Sequence, residues 1–157
     1  MSQPLASVTV APDNSTAIGR LNGLLTGELS AVETYERLIA EFASDSPIEL
    51  EECLRSHQMR VQALKVRILD LGGTPSTGGG IWATFVAMFE GGAALFGRKT
   101  AFCALAEGEN LGVSEYRDVL DDLDAESRHL LTTRLIPEQL KTRHIVHNLN
   151  SYHQTSV

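Results

Sequence analysis

Two glutamates, Glu28 and Glu109, are each followed seven residues later by a tyrosine in closely similar surroundings. The first copy reads GELSAVETY and ends at Tyr35, and the second reads GENLGVSEY and ends at Tyr116. Gly, Glu, Val and Tyr occupy matching positions, and every matched pair is separated by the same offset along the chain. Seven residues make nearly two turns of an α-helix, so each Glu shares a helix face with its Tyr. A carboxylate can ligate a metal ion, and a nearby phenol can hydrogen-bond that ligand.

The stripe that carries Glu28 is otherwise apolar, because its companions are Leu24, Leu25 and Val32. An apolar stripe faces the interior of a helical protein, so we expect Glu28, and by the repeat Glu109, to be buried. A buried carboxylate is unfavourable unless a cation or a hydrogen-bond donor meets it. The helix that follows each copy is expected to supply such a partner.

Histidines follow each copy on the next predicted helix. His57 follows the first copy, and His144 and His147, three residues apart, follow the second. Two such halves facing each other would bring two carboxylates and two or three imidazoles into one bundle. Oxygen and imidazole ligands together suit iron, manganese or zinc. The predicted ligands and their neighbours are Glu28, His57, Glu109, His144 and His147, with Tyr35, Tyr116 and Arg60 beside them.

The helices that position these residues follow from apolar residues at helical spacing. The predicted helices are A from about Thr16 to Ala43 with Asn14 or Ser15 as N-cap, B beginning with Pro47 at its first position, C from about Thr100 to Leu123, and D from about Asp124 to Tyr152. The run GGTPSTGGG at 72–80 ends helix B, and Pro137 predicts a kink or a break in helix D. No alternating run of β-branched residues indicates a strand, so the predicted fold class is all-α.

The connection between helices B and C contains the most apolar segment of the chain, IWATFVAMFEGGAALFG at 81–97. Only nine of its residues precede the break at Glu90-Gly91-Gly92, whereas a helix that crosses a bilayer needs about twenty apolar residues. The segment therefore predicts no membrane span. We expect a short helix or helix pair across one end of the bundle, and the alternative is an exposed patch that joins subunits of a homo-oligomer.

The composition is that of one globular domain, with 43% hydrophobic and 21% charged residues in a chain of 157. We expect a disordered tail at 1–14 and a single domain at 15–153. The 13 basic against 20 acidic residues, a net charge of -7, argue against nucleic-acid binding. Cys53 and Cys103 form no C-x-x-C pair and the N-terminus lacks the pattern of a signal peptide, so a cytoplasmic location is expected.

The stretch LLTGELSAVETYERL resembles the first helix of bacterioferritins and rubrerythrins, and GENLGVSEY resembles the third helix of rubrerythrins. In those families the Glu of such a stretch is a metal ligand. The order of LGGTP, an apolar IWATF segment ending in ALFG, the second Glu–Tyr helix and a late His is similar to a bacterial family of ferritin-like proteins with no assigned activity. The resemblance covers about residues 16–150. It implies a ferritin-like antiparallel four-helix bundle with a long B–C connection carrying a short extra apolar helix, and chemistry on ferrous iron or peroxide.

The sequence departs from the ferritin-like pattern at the helices that follow the glutamates. Neither contains the Glu-x-x-His motif of di-iron sites. The available registers are Leu54-Arg55-Ser56-His57 or His57-Gln58-Met59-Arg60 on helix B, and Lys141-Thr142-Arg143-His144 or His144-Ile145-Val146-His147 on helix D. The bridging carboxylates of a di-iron centre are absent from all of them, so a degenerate site with a single metal is easier to support.

Two functions from different classes are therefore carried forward. In the first, the bundle binds iron, or alternatively manganese or zinc, in a carboxylate and histidine site that is redox-active. In the second, the bundle holds no metal, and its core Glu, His, Arg and Tyr residues form a salt-bridge and hydrogen-bond network in a structural or oligomeric protein. Arg60 would then bind a glutamate through a bidentate bond. The sequence does not decide whether the protein is an enzyme.

Overall fold

The computed structural model describes residues 14–78 and 93–155, and within the second range it describes the side chains of residues 97–152. Every regular element in these ranges is helical. The α-helices are α1 (Asn14–Phe42), α2 (Ile48–Asp70), α3 (Ala93–Asp118), α4 (Ala125–Leu130) and α5 (Ile136–Thr155). A π-helical segment, Leu131–Leu135, joins α4 to α5, so these three pieces form one fourth rod. The predicted all-α fold is confirmed.

Hydrogen bonds between the rods fix their relative directions. Tyr35 contacts Glu109 whereas Tyr116 contacts Glu28, so α1 and α3 run antiparallel. Helices α1 and α2 also run antiparallel, because a short 3-10 turn at Ala43–Asp45 separates them.

The fourth rod is antiparallel to both of its neighbours. Ser56 of α2 contacts Glu138, whereas Arg67, farther along α2, contacts Asp124. The 3-10 turn Leu120–Asp122 makes the short connection from α3 into the fourth rod. The described residues therefore form a four-helix bundle in which neighbouring rods are antiparallel.

The chain leaves α2 at one end of α1 and enters α3 at the other end. After α2, the side chain of Asn22 donates to the Thr74 carbonyl and accepts from the Ser76 backbone N–H. At the start of α3, the guanidinium of Arg98 lies over the ring of Phe42, at the end of α1. The end of α2 and the start of α3 therefore lie near opposite ends of α1.

Several predicted features lie outside the described residues. These include most of the N-terminal tail, since Asn14 already begins α1, and residues 81–92 of the apolar segment with the extra helix and the oligomer contact predicted there. Among the helices that the structure does describe, none is both long and apolar enough to cross a bilayer.

The helix boundaries differ from the predicted ones by a few residues. Pro47 caps α2 in an extended conformation instead of being its first helical residue. Gly72, with φ 79°, follows the end of α2 in the left-handed region, as a glycine after a helix commonly does. Gly97, with φ 76° and ψ 179°, interrupts α3 near its start, and α3 ends at Asp118 instead of Leu123.

Pro137 does not break the fourth rod. Proline lacks a backbone N–H, and its ring conflicts with the carbonyl four residues earlier in a regular α-helix. The regular pattern changes immediately before it, in the π-helical segment, where the turn is wider. The hydroxyls of Thr132 and Thr133 donate to the carbonyls of Arg128 and His129 in the preceding turn. The rod accommodates the proline in this way and continues as α5.

The interior consists of two apolar clusters separated by a polar layer. The first cluster is Ala17, Leu21, Leu24, Leu25, Val61, Leu64, Ile68, Tyr116, Leu123, Leu131 and Leu135. The second is Tyr35, Leu38, Leu50, Cys53, Ala101, Phe102, Leu105, Ala106 and Val146. Between them lie the buried polar side chains of Glu28, His57, Arg60, Glu109, Gln139 and Thr142, which we call the polar layer.

A second polar contact ties the end of α2 to the start of the fourth rod. Asp124 caps α4 by accepting from the backbone N–H groups of Glu126 and Ser127. The same carboxylate accepts from Arg67 Nη2 at 2.8 Å. Arg67 is buried, and its Nε donates to the Ser127 hydroxyl at 2.8 Å. One carboxylate thus satisfies a helix N-terminus and a buried cation together.

Replacing Asp124 by Ala is expected to lower the free energy of unfolding by about 2–3 kcal/mol. The lost cap accounts for about 1 kcal/mol, and the buried Arg67 guanidinium loses a partner. Urea unfolding followed by circular dichroism measures the difference. Asp122→Ala is the matched control, because its ion pair with Arg20 is exposed and pairs of that kind contribute under about 1 kcal/mol. Equal losses in the two variants would contradict the proposed role of Asp124.

Candidate functional site

The polar layer contains both repeated glutamates. Glu28 and Glu109 are 4% and 3% exposed, and His57 and Arg60 of α2 are 3% and 0% exposed. Each carboxylate points inward from an apolar stripe, as the sequence pattern predicts. Four ionisable side chains thus meet in the interior of one bundle.

His57 lies between the two glutamates. Its Nδ1 is 2.7 Å from Glu28 Oε2, and its Nε2 is 3.0 Å from Glu109 Oε1. The two ring nitrogens of an imidazole point to different sides of the ring. The two carboxylates therefore approach His57 from opposite sides.

Each tyrosine of the repeat hydrogen-bonds to the glutamate of the other copy. Tyr116 donates to Glu28 Oε1 at 2.8 Å, and Tyr35 donates to Glu109 Oε1 at 2.6 Å. Because α1 and α3 are antiparallel, the tyrosine of each helix lies level with the glutamate of the other. The seven-residue spacing thus places each phenol against the carboxylate of the opposite copy.

Arg60 fills the remaining space beside Glu28. Its Nε donates to Glu28 Oε1 at 2.8 Å, its Nη1 donates to the Ser56 hydroxyl at 2.8 Å, and its Nη2 lies 2.6 Å from His57 Nδ1. The predicted contact of Arg60 with a glutamate is present. It is a single hydrogen bond and not a bidentate one, because the other guanidinium nitrogens reach Ser56 and His57.

Two residues of α5 that the sequence did not single out complete the layer. Gln139 Nε2 and Thr142 Oγ1 donate to Glu109 Oε2 at 2.7 and 2.8 Å. Both are almost fully buried, at 2% and 1% exposure. One signal in the sequence could have indicated them. Gln139 and Thr142 follow Leu135 by four and seven residues, so all three share one helix face.

His144 and His147 do not reach the layer, so their prediction as ligands is corrected. His144 is exposed and lies beside Asn148, and His147 contacts Asn110 on α3. The inward face of α5 is instead formed by Gln139, Thr142 and Val146. Residues two and five positions after Thr142 point away from that face, since each residue turns the helix by about 100°.

The described residues contain no group of three or more His, Cys, Asp or Glu side chains arranged to hold a metal ion. The position of His57 explains this for the layer. Glu28 and Glu109 lie at opposite nitrogens of His57, so their oxygens do not surround one common point. Convergence of the repeated glutamates on one metal is therefore not observed.

Electrostatic interactions favour the ionised forms of the four groups. Burial alone would raise the pKa of Glu28, but the charges and hydrogen bonds of His57 and Arg60 lower it from 4.5 to about 2. Burial likewise opposes ionisation of Glu109, whose pKa is lowered by hydrogen bonds from His57, Tyr35 and Thr142. Burial disfavours the charged form of His57, yet the Glu28 charge and hydrogen bonds to both glutamates raise its pKa above 6.5. Two carboxylates thus face the permanent cation of Arg60 and an imidazole whose protonation they favour.

The tyrosines serve as neutral donors. Burial and then the charge of Glu109 raise the pKa of Tyr35 well above its usual value. Burial and then the charge of Glu28 do the same for the pKa of Tyr116. Both phenols therefore stay protonated, and each donates a hydrogen bond to a carboxylate.

The free energy of unfolding is expected to fall by about 3 kcal/mol as the pH is lowered from 4.5 to 2, through Glu28 alone. The pKa of Glu28 is about 2 in the folded protein and 4.5 as its ordinary value. Its stabilising contribution is complete above 4.5 and is lost as the pH falls through the folded pKa. His57 has the opposite sign, because its raised pKa stabilises the fold below pH 6.5 and that contribution declines at higher pH. Carbon NMR of the Glu28 carboxyl measures its midpoint, and a midpoint near 4.5 would contradict the proposed interactions.

Tyr35→Phe and Tyr116→Phe are each expected to lower the free energy of unfolding by about 1–3 kcal/mol, because each leaves a buried carboxylate with one donor fewer. The two losses should be similar, since the contacts are equivalent in the two copies. Tyr152→Phe is the control: Tyr152 is 68% exposed, and its replacement should change the free energy by under about 0.5 kcal/mol. Chemical denaturation of the three variants tests this, and buried-site variants that match the control would refute it.

The sequence matches no protein-family model and no curated protein. The fold is similar to the crystal structure of a conserved hypothetical protein, rv2844, from Mycobacterium tuberculosis, with a TM-score of 0.67 and 16% sequence identity. The likeness covers 88% of this chain and 94% of that one. At this identity it shows the all-α bundle fold alone, and any function has to be argued from the polar layer.

Proposed function

We propose that this protein is a metal-independent helical bundle of ferritin-like ancestry, in which a charge-balanced network replaces a metal centre and holds the two halves of the bundle together. The observation that carries the proposal is Arg60. Its guanidinium is fully buried, donates to Glu28 and lies 2.6 Å from His57. In the register His57-Gln58-Met59-Arg60, the resemblance to ferritin-like proteins puts a metal ligand at the position of Arg60, and here a permanent cation occupies it. The bundle then acts as a scaffold and not as an iron or peroxide oxidoreductase.

The hydrogen bonds of the layer support this proposal. Glu28 Oε1 accepts from Arg60 and Tyr116, and its Oε2 contacts His57. Glu109 has four donors, distributed over both of its oxygens: Tyr35, His57, Gln139 and Thr142. Among the described residues, the one buried side-chain N or O atom without a partner is Ser46 Oγ, which is not in the layer. A metal ion would have to displace donors that already satisfy these oxygens.

The charge balance points the same way. The guanidinium of Arg60 places one permanent positive charge against the two carboxylates, and the carboxylates favour protonation of His57 as a second one. A divalent cation added to this set would leave excess positive charge in an interior that solvates charge poorly. Arg60 cannot relieve that excess by losing a proton, because an arginine side chain stays protonated in proteins.

The alternative is a single iron, manganese or zinc ion held by Glu28, His57 and Glu109. The 2.7 Å approach of Glu28 Oε2 to His57 Nδ1 favours it, because both atoms are metal-ligand types. It requires the two glutamates to move to one side of the imidazole and Arg60 to leave its buried position. The metal content of the purified protein separates the two candidates.

Untagged protein expressed with iron, manganese and zinc supplied is expected to contain far less than one metal ion per chain by mass spectrometry of the elements. Arg60→His is expected to gain close to one divalent ion, because it removes the competing cation and adds an imidazole three residues from His57 on the same helix face. Arg55→His is the matched control, since Arg55 lies on the exposed side of α2 and should gain none.

One metal ion per chain in the wild type, lost in Glu28→Gln with the helix content intact, would overturn the proposal. The wild-type measurement decides the matter even where Arg60→His fails to fold, which circular dichroism detects. A metal-free wild type together with a metal-bound Arg60→His variant identifies Arg60 as the residue that keeps metal out.

A further inference from the structure

A cavity of about 110 Å³ lies between α1 and α3, beside the polar layer. Its lining includes both the buried side chains of Glu28 and Glu109 and the side chain of Leu111, which is 55% exposed. The apolar part of the lining is Leu24, Ala31, Leu105 and Leu111. The cavity therefore leads from the surface of the bundle to the two glutamates.

Three helical glycines line this cavity: Gly27, Gly108 and Gly112. Glycine inside a helix is less stable than alanine by about 0.5–1 kcal/mol, so its use there needs a reason. A Cβ atom at Gly27 would lie 3.3 Å from Glu115 Oε2, and one at Gly112 would lie 2.7 Å from Gln139 Nε2. At these two positions the missing side chains leave room for their neighbours and keep the cavity open.

Glu115 is a further carboxylate beside the polar layer, and no side chain of the layer pairs with it. It lines the cavity, is half-buried, and contacts no cation or hydrogen-bond donor among the described side chains of residues 14–78 and 97–152. Burial raises the pKa of Glu115, and the charges of Glu28 and Asp118 raise it further. A bound monocation would relieve both the repulsion and the loss of hydration.

We propose that the cavity binds a small aliphatic ammonium ion, with its nitrogen at Glu115 and its alkyl group against the apolar wall. The size follows from the volume, because an apolar cavity of about 150 Å³ accommodates benzene, and 110 Å³ suits a somewhat smaller ligand. The positive charge of the ligand follows from the Glu115 carboxylate, which has no cationic partner among the described side chains. The inference rests on the proposed metal-free layer, since a metal ion there would place positive charge next to the cavity.

Isobutylammonium chloride is a suitable probe, and isobutanol is its uncharged counterpart of equal size. Titration of the full chain, followed by proton–nitrogen NMR at constant ionic strength, is expected to give saturable shifts at the amides of Gly27, Gly108 and Gly112. Isobutanol is expected to bind at least tenfold more weakly. No saturable shift with the ammonium ion, or equal binding of the alcohol, would overturn the proposal.

Glu115→Gln is expected to weaken binding at least tenfold by removing the charge, and Gly27→Ala to weaken it similarly by narrowing the cavity. Gly23→Ala is the matched control, because a Cβ there meets nothing within 4 Å and the residue does not line the cavity. Wild-type affinity in Glu115→Gln would refute the role of the carboxylate. Metal analysis of the same samples separates the two proposals: bound metal in the wild type refutes the proposed function, whereas a metal-free protein that ignores the ammonium ion refutes this inference alone.

Discussion

The burial of two carboxylates inside a helical bundle is the constraint on which the rest of the structure depends. Each of these groups would destabilise the fold by several kcal/mol if it had no partner. The partners come from all four rods: a phenol from α1 or α3, a histidine and an arginine from α2, and an amide and a hydroxyl from α5. A helix that slid along its axis would break several of these bonds together. We infer that the polar layer sets the register of the bundle more strictly than the apolar clusters on either side.

The two halves of the bundle, residues 14–78 and 93–155, carry the same Glu–Tyr repeat but supply different further partners for the glutamates. Each provides one inward Glu and one Tyr, and the tyrosines are exchanged between the halves. Both basic side chains of the layer, His57 and Arg60, lie on α2, whereas the corresponding face of α5 supplies the neutral donors Gln139 and Thr142. Glu28 is therefore stabilised mainly by charge, and Glu109 receives most of its hydrogen bonds from uncharged groups. Among the side chains that the structure describes, His57 is the one that contacts both glutamates.

The amino-acid sequence predicted the residues whose positions follow from a regular helix. Glu28 and Glu109 lie on apolar stripes with unbroken spacing, which is why their burial and the contact of His57 and Arg60 with Glu28 were predictable. His144 and His147 were placed wrongly because spacing does not give the rotation of a helix about its axis. That rotation is altered in the fourth rod by the π-helical segment before α5, a feature that Pro137 indicates only indirectly. Gln139 and Thr142 were missed because neutral polar residues are common on exposed helix faces as well.

The exchange of tyrosines has a consequence for how the molecule comes apart. If residues 14–78 separated from residues 93–155, Glu28 would lose Tyr116 and Glu109 would lose both Tyr35 and His57. Glu28 would keep only His57 and Arg60, and Glu109 would keep only Gln139 and Thr142. Detaching one half therefore breaks hydrogen bonds to both glutamates at once, which couples the two halves during partial opening.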